Sequence, residues 1–539
     1  MKTSHRIARA GLVVMAAHWI FKAASAVQAW LVGSYLPGAD FDVIYGFAFL
    51  SCIYAVFLVG EEMIGPAFLP VFAGEVDGKG EEAGWKFANT VLTVQLLVLL
   101  IVASAIMLWP DSVIRLFTSW RAGDDPEKYA LGRSALRWLA PSLVFLSLGT
   151  TTYMLLNGYK RFFLAAFGDA AWKICVLVSV VLGMMIFGMD HRAVIFGLLA
   201  GSIAKLLTHL AGLIREVKLL RPSLAFSNPA VKRMLMLMLP LMAGIILARV
   251  RDIVNDVKIL SVLETDGLIK ANILGKKIYT TVGWLIPYAF SIAMFPFFCE
   301  MVDRKDRKNL SLIVARSCRM LLSVFIPFAL VIVVLARPGC LFLQWRNFTV
   351  QEAQWTAVST ACYVLAVPAA AIEYVLMQAF FAHRRMISVT VVGMVFSAFA
   401  MGVSYIGIIK LGAAGSSALA VIALGLAASR AMKSVSLLVL LKKNVDLPPA
   451  GESVSFLVRT GAAALVSAGA CYAAVLGFET WVSAGSAKPV LLSKLAAGAL
   501  ASAAGFTAAV RLVRVKEPGM MFEWAMERLR RAKSEDNPA

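Results

Sequence analysis

The chain has 539 residues, of which 60% are apolar and only 16% are charged, and its formal net charge is +20. A soluble domain is about 45–50% apolar and its core stops growing at roughly 250–300 residues, so this composition excludes a soluble enzyme, a disordered chain and a disulfide scaffold. In a polytopic membrane protein the excess Lys and Arg lie in cytoplasmic loops, so the charge does not indicate a nucleic-acid partner.

Apolar stretches long enough to cross a bilayer recur along the whole chain, each bounded by charge or by Gly and Pro. A span takes about 20 residues, and these stretches lack the alternating pattern of barrel strands, so each is predicted to be a helix. The fourteen predicted spans lie at 11–35, 43–72, 86–109, 136–157, 163–188, 193–214, 234–262, 268–299, 312–336, 355–381, 386–409, 412–441, 454–477 and 489–512. The predicted fold is therefore an all-α polytopic membrane protein with about 14 transmembrane helices.

Clusters of Lys and Arg occupy alternate connections between the predicted spans. Arg6 and Arg9 precede the first span, Arg304–Lys308 follow the eighth, and Lys442–Lys443 follow the twelfth. The positive-inside rule therefore places both termini in the cytoplasm. The tail from Lys516 is predicted to be an amphipathic helix on anionic head groups, with a solvated tail as the alternative.

Short motifs recur about six spans apart. Ala67–Phe72 (AFLPVF) ends the second span, and Ala293–Phe298 (AMFPFF) ends the eighth. An even offset keeps two repeats parallel, and repeats of this kind bind their cargo between the halves. We expect two six-helix parallel-repeat lobes around a central cavity: an N-lobe at 1–222, a C-lobe at 223–445, two additional spans at 446–515 and a cytoplasmic tail at 516–539.

Neither cysteine spacing nor sequence motifs indicate chemistry. The seven cysteines are scattered without a CxxC or paired spacing, so we expect no metal site and no disulfide framework. The chain has no Gly-rich phosphate loop, HExxH or nucleophile elbow. We therefore expect no cofactor and no catalytic residues.

Ionisable residues within the spans are the candidate site, because each costs several kcal/mol unless it faces a cavity or a partner. Arg249, Asp252 and Asp256 follow i, i+3, i+7 spacing and share one helix face, where Arg249 can pair with Asp252. Arg251 lies on another face. The predicted substrate-binding residues are Lys22, Glu61, Arg249, Arg251, Asp252, Asp256, Lys276 and Lys277.

Structural roles compete with binding for several intramembrane charges. Arg316, Lys433 and Lys494 are expected to extend towards lipid head groups. Glu61 has as its alternative a capping role, together with Glu62, for a helix broken at a neighbouring glycine. Asp169 and Lys173, at i and i+4, are expected to form an internal pair.

Five segments in order give the chain a resemblance to a known family. They are Glu61–Ala73 (EEMIGPAFLPVFA), Leu156–Phe163 (LNGYKRFF), Gly275–Tyr279 (GKKIY), Ile292–Phe297 (IAMFPF) and Gln378–Met386 (QAFFAHRRM). In these segments the chain resembles the murein-biosynthesis lipid II flippase (MurJ) family of the multidrug/oligosaccharidyl-lipid/polysaccharide exporter superfamily.

The resemblance implies alternating access between two lobes, a cationic central cavity for a pyrophosphate, and a groove by the last two helices for a polyprenyl tail. It also implies that Lys277 stands for an essential arginine, Glu61 for a conserved glutamate and Asp256 for an aspartate of the seventh span. The chain departs from the family in the first span, where SAVQAW at Ser25–Trp30 replaces an Arg-Asp pair and leaves Lys22 as the cation. In the second span, Val56-Phe57 replaces an arginine pair.

The predicted function is a flippase that moves a polyprenyl-pyrophosphate-linked saccharide, lipid II for peptidoglycan synthesis, to the outer leaflet of the bacterial inner membrane. Lys22, Lys277 and Arg251 would meet the pyrophosphate, and membrane lipids and a coupling ion are further expected partners. The alternatives are a flippase for an O-antigen or exopolysaccharide precursor, a cation-coupled drug antiporter, a membrane glycosyltransferase and a transport-inactive assembly partner. An antiporter needs acidic cavity residues, whereas here the intramembrane cations outnumber the acids.

Overall fold

The computed structural model describes residues 23–283, 287, 289–443, 445–446, 449–481, 487–513, 515 and 517–519. These ranges are helical with short connections, and no strand occurs in them. The predicted all-α polytopic fold is therefore confirmed.

Seventeen helices are used below. The first group comprises α1 (23–35), α2 (Gly38–Lys79), α3 (Glu81–Leu108), α4 (Pro110–Phe117), α5 (Pro126–Gly158), α6 (Phe162–Ile186), α7 (Arg192–Gly212), α8 (Pro229–Ile253) and α9 (Leu268–Gly283). The second comprises α10 (Ala289–Asp303), α11 (Arg307–Leu343), α12 (Val350–Val364), α13 (Val367–Ala382), α14 (Met386–Lys410), α15 (Ser416–Leu441), α16 (Ala450–Trp481) and α17 (Lys488–Leu512).

Ten single helices of the described chain are long and apolar enough to cross a membrane, and two bent helix pairs raise that number to as many as twelve. The bent pairs are Pro229–Leu239 with Met242–Leu263, and Val350–Val364 with Val367–Ala382. Two other predicted spans, 11–35 and 268–299, run over residues outside the described ranges. The count of fourteen therefore stays a prediction.

The chain divides into two compact units. The first unit contains the chain up to Leu274 together with Trp345–Glu352 and Ser404–Gly415, and the second contains Gly275–Gln344, Ala353–Val403 and the chain from Ser416. The unit boundaries therefore fall inside α9, α12 and α14. The predicted lobe boundaries at 222 and 445, which rest on the sequence repeat, stay predictions.

Helix α2 positions the first candidate residues. It has 42 residues, or roughly 63 Å at 1.5 Å per residue, about twice the thickness of a bilayer core. Glu61 and Glu62 lie near its middle, and the helix runs unbroken through Gly60 and Gly65, so the expected capping role for these glutamates is wrong.

A one-residue turn joins α2 to α3. Gly80 has a φ of +90°, which favours glycine because it has no Cβ. Beside this turn, Trp85 Nε1 donates a hydrogen bond to the Tyr159 hydroxyl at 2.7 Å, and that hydroxyl donates to Glu81 at 2.5 Å. A core of buried aromatic rings that includes Phe68 and Phe87 packs against this corner of the first unit.

Candidate functional site

A chain of ion pairs joins α2 to α8 in the first unit. Arg249 is bound through Nη2 to Glu62 and through Nη1 to Asp252 Oδ2 at 3.5 Å. Arg251 Nη2 lies 2.8 Å from the other oxygen of Asp252. The i, i+3 pair predicted for Arg249 is present, but Arg251, expected on a separate face, binds the same carboxylate, which belongs to the next residue in the chain.

These four side chains are partly buried. The exposed fraction is 12% for Arg251 and 21% for Arg249, and the Arg249 Nε has no hydrogen-bond partner in the described ranges. Two arginines and two carboxylates therefore balance one another within the span. A phosphate oxygen is the natural competitor for such guanidinium groups, because arginine binds phosphate with two parallel N–H bonds.

Three other predicted site residues, Asp256, Lys276 and Lys277, lie in the described ranges. Asp256 accepts a hydrogen bond at 3.0 Å from Nδ2 of the buried Asn272 at the start of α9. Lys276 and Lys277 are half-buried on the part of α9 that belongs to the second unit. Lys22 lies outside the described residues. The role of all eight residues in substrate binding stays a prediction.

A second group of charges in the first unit joins α2, α6 and α7, and we call Glu61, Asp169 and Lys205 the first-unit cluster. Lys205 Nζ lies 2.6 Å from Asp169 Oδ1, and the Lys205 side chain is only 2% exposed. Glu61 interacts electrostatically with both. The Asp169–Lys173 pair expected from sequence spacing stays a prediction, whereas the Lys205 contact joins two helices and leaves no local pattern in the sequence.

The second unit contains a membrane-embedded group that the sequence analysis did not assemble. Glu373 on α13 accepts hydrogen bonds at 2.7 and 2.8 Å from Arg430 Nη1, and its Oε1 lies 2.7 Å from Lys433 Nζ. Glu373 is 2% exposed. We call these three residues the second-unit triad. The expectation that Lys433 extends to lipid head groups is wrong, because a buried carboxylate holds it.

Lys494 likewise differs from its expected position. It is 3% exposed and its Nζ lies 3.1 Å from Glu479 Oε1, so α17 is joined to α16 by an ion pair. Arg316, the third residue in that expectation, lines a cavity of about 620 Å³ with Lys308 and Arg319.

A further buried network in the first unit connects α2 to the starts of α9 and α12. Asp42 accepts backbone hydrogen bonds from Gly267 at 2.8 Å and Lys270 at 2.7 Å. Lys270 Nζ in turn donates to Glu352 Oε2 at 3.1 Å and to the Leu36 carbonyl at 3.1 Å. Each charged group has partners, so this network stabilises the packing of these helices in the first unit.

In the part of the chain that the structure describes, no group of three or more His, Cys, Asp or Glu side chains could hold a metal ion. The ionisable residues of the site are instead arranged in arginine–carboxylate and lysine–carboxylate pairs.

Long apolar helices with ion pairs inside their spans define a polytopic helical membrane protein. The family model described as lipid II flippase MurJ matches residues 34–491, and the chain belongs to this family.

Curated relatives carry the same description. A probable lipid II flippase MurJ of Rhizobium meliloti (strain 1021) is 24% identical over 332 residues, or 61% of each chain. Another, from Borreliella burgdorferi, is 22% identical over 336 residues, or 62% of this chain and 64% of the relative. The matched region thus spans less than two thirds of the length of these relatives.

Solved structures share the fold. A structure titled lipid II flippase MurJ, inward closed conformation, has a TM-score of 0.73 at 18% identity and covers 94% of this chain and 100% of that chain. An inward-facing multidrug resistance transporter of the MATE family, in the MOP superfamily, has a TM-score of 0.63 at 10% identity. The match covers 78% of this chain and 93% of that chain. At these identities the likeness shows the fold alone.

Proposed function

We propose that this protein is a flippase that carries lipid II, a polyprenyl-pyrophosphate-linked saccharide, from the cytoplasmic to the outer leaflet of the bacterial inner membrane. The single observation that supports this most is the match of the MurJ family model over residues 34–491. The protein would transport its substrate by alternating access without catalysis, with both termini in the cytoplasm.

The arginines of α8 have the chemistry that a pyrophosphate requires. Arg249 and Arg251 are held by Glu62 and Asp252 within the span, so they stay charged and oriented when no substrate is bound. Oxygens of a diphosphate would replace the carboxylates as hydrogen-bond acceptors. Such an exchange keeps binding reversible, because the carboxylates take the arginines back when the substrate leaves.

The two last helices suit the polyprenyl tail. Helices α16 and α17 pack against each other, and the Ser467 hydroxyl donates to the Ser502 carbonyl at 2.9 Å. Large apolar side chains on both helices are exposed, among them Leu465 and Leu500. We propose that this surface accompanies the tail in the lipid phase.

The experiment is transport of fluorescent lipid II by the full-length protein in vesicles, read as the fraction of label accessible from the opposite side. Arg251→Ala and Lys277→Ala are the test variants, and Lys443→Ala, an exposed lysine on a loop, is the matched control. Loss of one charge-assisted hydrogen bond costs about 1.5–3 kcal/mol, so we expect roughly tenfold to hundredfold slower transport.

Lys277→Arg restores the two-pronged donor and is expected to retain transport. Normal transport in both alanine variants would contradict their assignment to the site. If the wild-type protein moves an O-antigen-type lipid-linked oligosaccharide but not lipid II, the proposed substrate is wrong. Export of cationic dyes without lipid transport would instead indicate an antiporter.

A further inference from the structure

Glu61 is a carboxylate without a partner near the middle of a membrane-spanning helix. Its side chain is half-buried on α2 and makes no hydrogen bond or ion pair with any residue in the described ranges. Neighbouring residues of α2 contact α6 and α7. The ring centroids of Tyr54 and Trp172 are 5.5 Å apart, and Lys205 Nζ lies 5.0 Å from the centroid of the Phe57 ring.

The two cations that act on Glu61 are both bound by other carboxylates. Lys205 pairs with Asp169, and Arg249 is shared by Glu62 and Asp252. Glu61 therefore adds a negative charge to a group in which each nearby cation already has an acidic partner.

Packing places the Lys205 side chain against α5. The lysine stem lies across Gly149 of α5, where a Cβ would stand 3.0–3.4 Å from three of its carbons. The side chain is buried, and its ammonium group lies at Asp169. A Cβ at this position would require the lysine stem to shift by a few tenths of an ångström.

Further titratable groups on α2, α6 and α7 have contacts of their own. The His209 ring nitrogens lie 3.0 Å from the Gly149 carbonyl and 3.1 Å from the Ala165 carbonyl. Lys173 lies 3.5 Å from the centroid of the Trp172 ring. Tyr54 interacts electrostatically with Glu61 but carries no positive charge.

An ionised carboxylate without a partner inside a membrane costs several kcal/mol, and this cost disappears when the group binds a proton. We propose that Glu61 is a proton-binding residue whose carboxylate takes up one H⁺ to form the neutral acid and later returns it to water. This proton is the coupling ion of the transport cycle, an assignment that rests on the flippase function proposed above. Asp169 and Glu62 act as positioning residues, because they occupy the cations that would otherwise neutralise Glu61.

The test is infrared difference spectroscopy of the full-length protein in lipid nanodiscs, without substrate, between acidic and alkaline buffer. The C=O stretching band of a protonated carboxylic acid is the readout. We expect Glu61→Gln to lose one such band, whereas Glu127→Gln, which removes an exposed carboxylate at the start of α5, retains it. Glu61→Asp keeps a carboxyl group and is expected to move the band rather than abolish it, which covers the case of a poorly folded Gln variant.

The second readout is lipid II transport in vesicles with and without a proton gradient. The wild type is expected to respond to the gradient, and Glu61→Gln is expected to lose that response. An unchanged carboxyl band in Glu61→Gln, or a response to the gradient that survives in this variant, overturns the proposal. If the wild type shows the Glu61 band but moves no lipid II, the proposed function fails while the proton site stands.

Discussion

The first-unit cluster and the second-unit triad have opposite charge compositions. The cluster has two carboxylates and one lysine, Glu61, Asp169 and Lys205, whereas the triad has one carboxylate and two cations, Glu373, Arg430 and Lys433. An acid inside a membrane can become neutral by binding a proton, but an arginine cannot lose its proton in a protein. The cluster contains a carboxylate without an ion-pair partner in the described ranges, Glu61, whereas the triad's carboxylate is paired with two cations.

The largest effect is expected from removing the only carboxylate of the triad. Glu373→Gln leaves Arg430 and Lys433 facing each other without a counter-charge, and breaking a buried ion pair in this way costs about 3–5 kcal/mol. We expect a strongly lowered thermal unfolding midpoint in detergent, or loss of the folded protein from the membrane.

The matched control for this variant is Glu300→Gln. Glu300 also pairs with an arginine, Arg304 at 2.7 Å, but both side chains are more than half exposed at the end of α10. Exposed pairs contribute about 0–1 kcal/mol, so this variant should unfold close to the wild-type temperature. Equal midpoints for Glu373→Gln and Glu300→Gln would show that the triad is not a structural requirement of the second unit.

Lys205→Met in the first unit should cost less and should depend on pH. The substitution removes the lysine from Asp169, and the loss of a hydrogen bond between charged groups costs about 1.5–3 kcal/mol. In acid the carboxylates of the cluster bind protons, so the destabilisation of Lys205→Met becomes smaller. Acid cannot neutralise Arg430, so the destabilisation of Glu373→Gln is expected to persist. Thermal unfolding of Lys205→Met across a pH series measures this, and a loss that stays constant or grows in acid would remove the distinction between the two units.

The fold was predictable because its signals are local. Each apolar run of about 20 residues is continuous in sequence, so the helices α3 and α7 follow from composition alone. The Arg249–Asp252 pair followed from i, i+3 spacing within one helix. The Gly80 turn, by contrast, makes α2 and α3 almost continuous, and the predicted spans 43–72 and 86–109 did not show how far these helices extend.

The charge partners could not be predicted, because they join helices that are distant in sequence. Glu373 and Arg430 are 57 residues apart, and Arg161 binds Glu216 across 55 residues. A helical period shows that Arg430 and Lys433 share a face but does not show which helix that face meets. Packing of α13 against α15 brings the Glu373 carboxylate to this face. The predicted head-group role for Lys433 is wrong because Glu373 binds it.

The smallest effect is expected from a carboxylate outside the membrane-spanning segments, and its sign is opposite to that of Lys205→Met. Asp306 caps α11, and hydrogen bonds from the side chain and backbone of Asn309 hold the pKa of this carboxyl below its ordinary value. A lowered pKa in the folded state stabilises the protein above the unfolded-state pKa, and this contribution is lost as the pH falls through the folded value. Asp306→Asn keeps a good N-cap without a titrating group. On acidification the unfolding midpoint of the wild type should therefore fall slightly relative to that of Asp306→Asn. The midpoint of Lys205→Met should instead rise relative to that of the wild type. If the midpoints of both variants change in parallel, acid acts on neither carboxylate specifically.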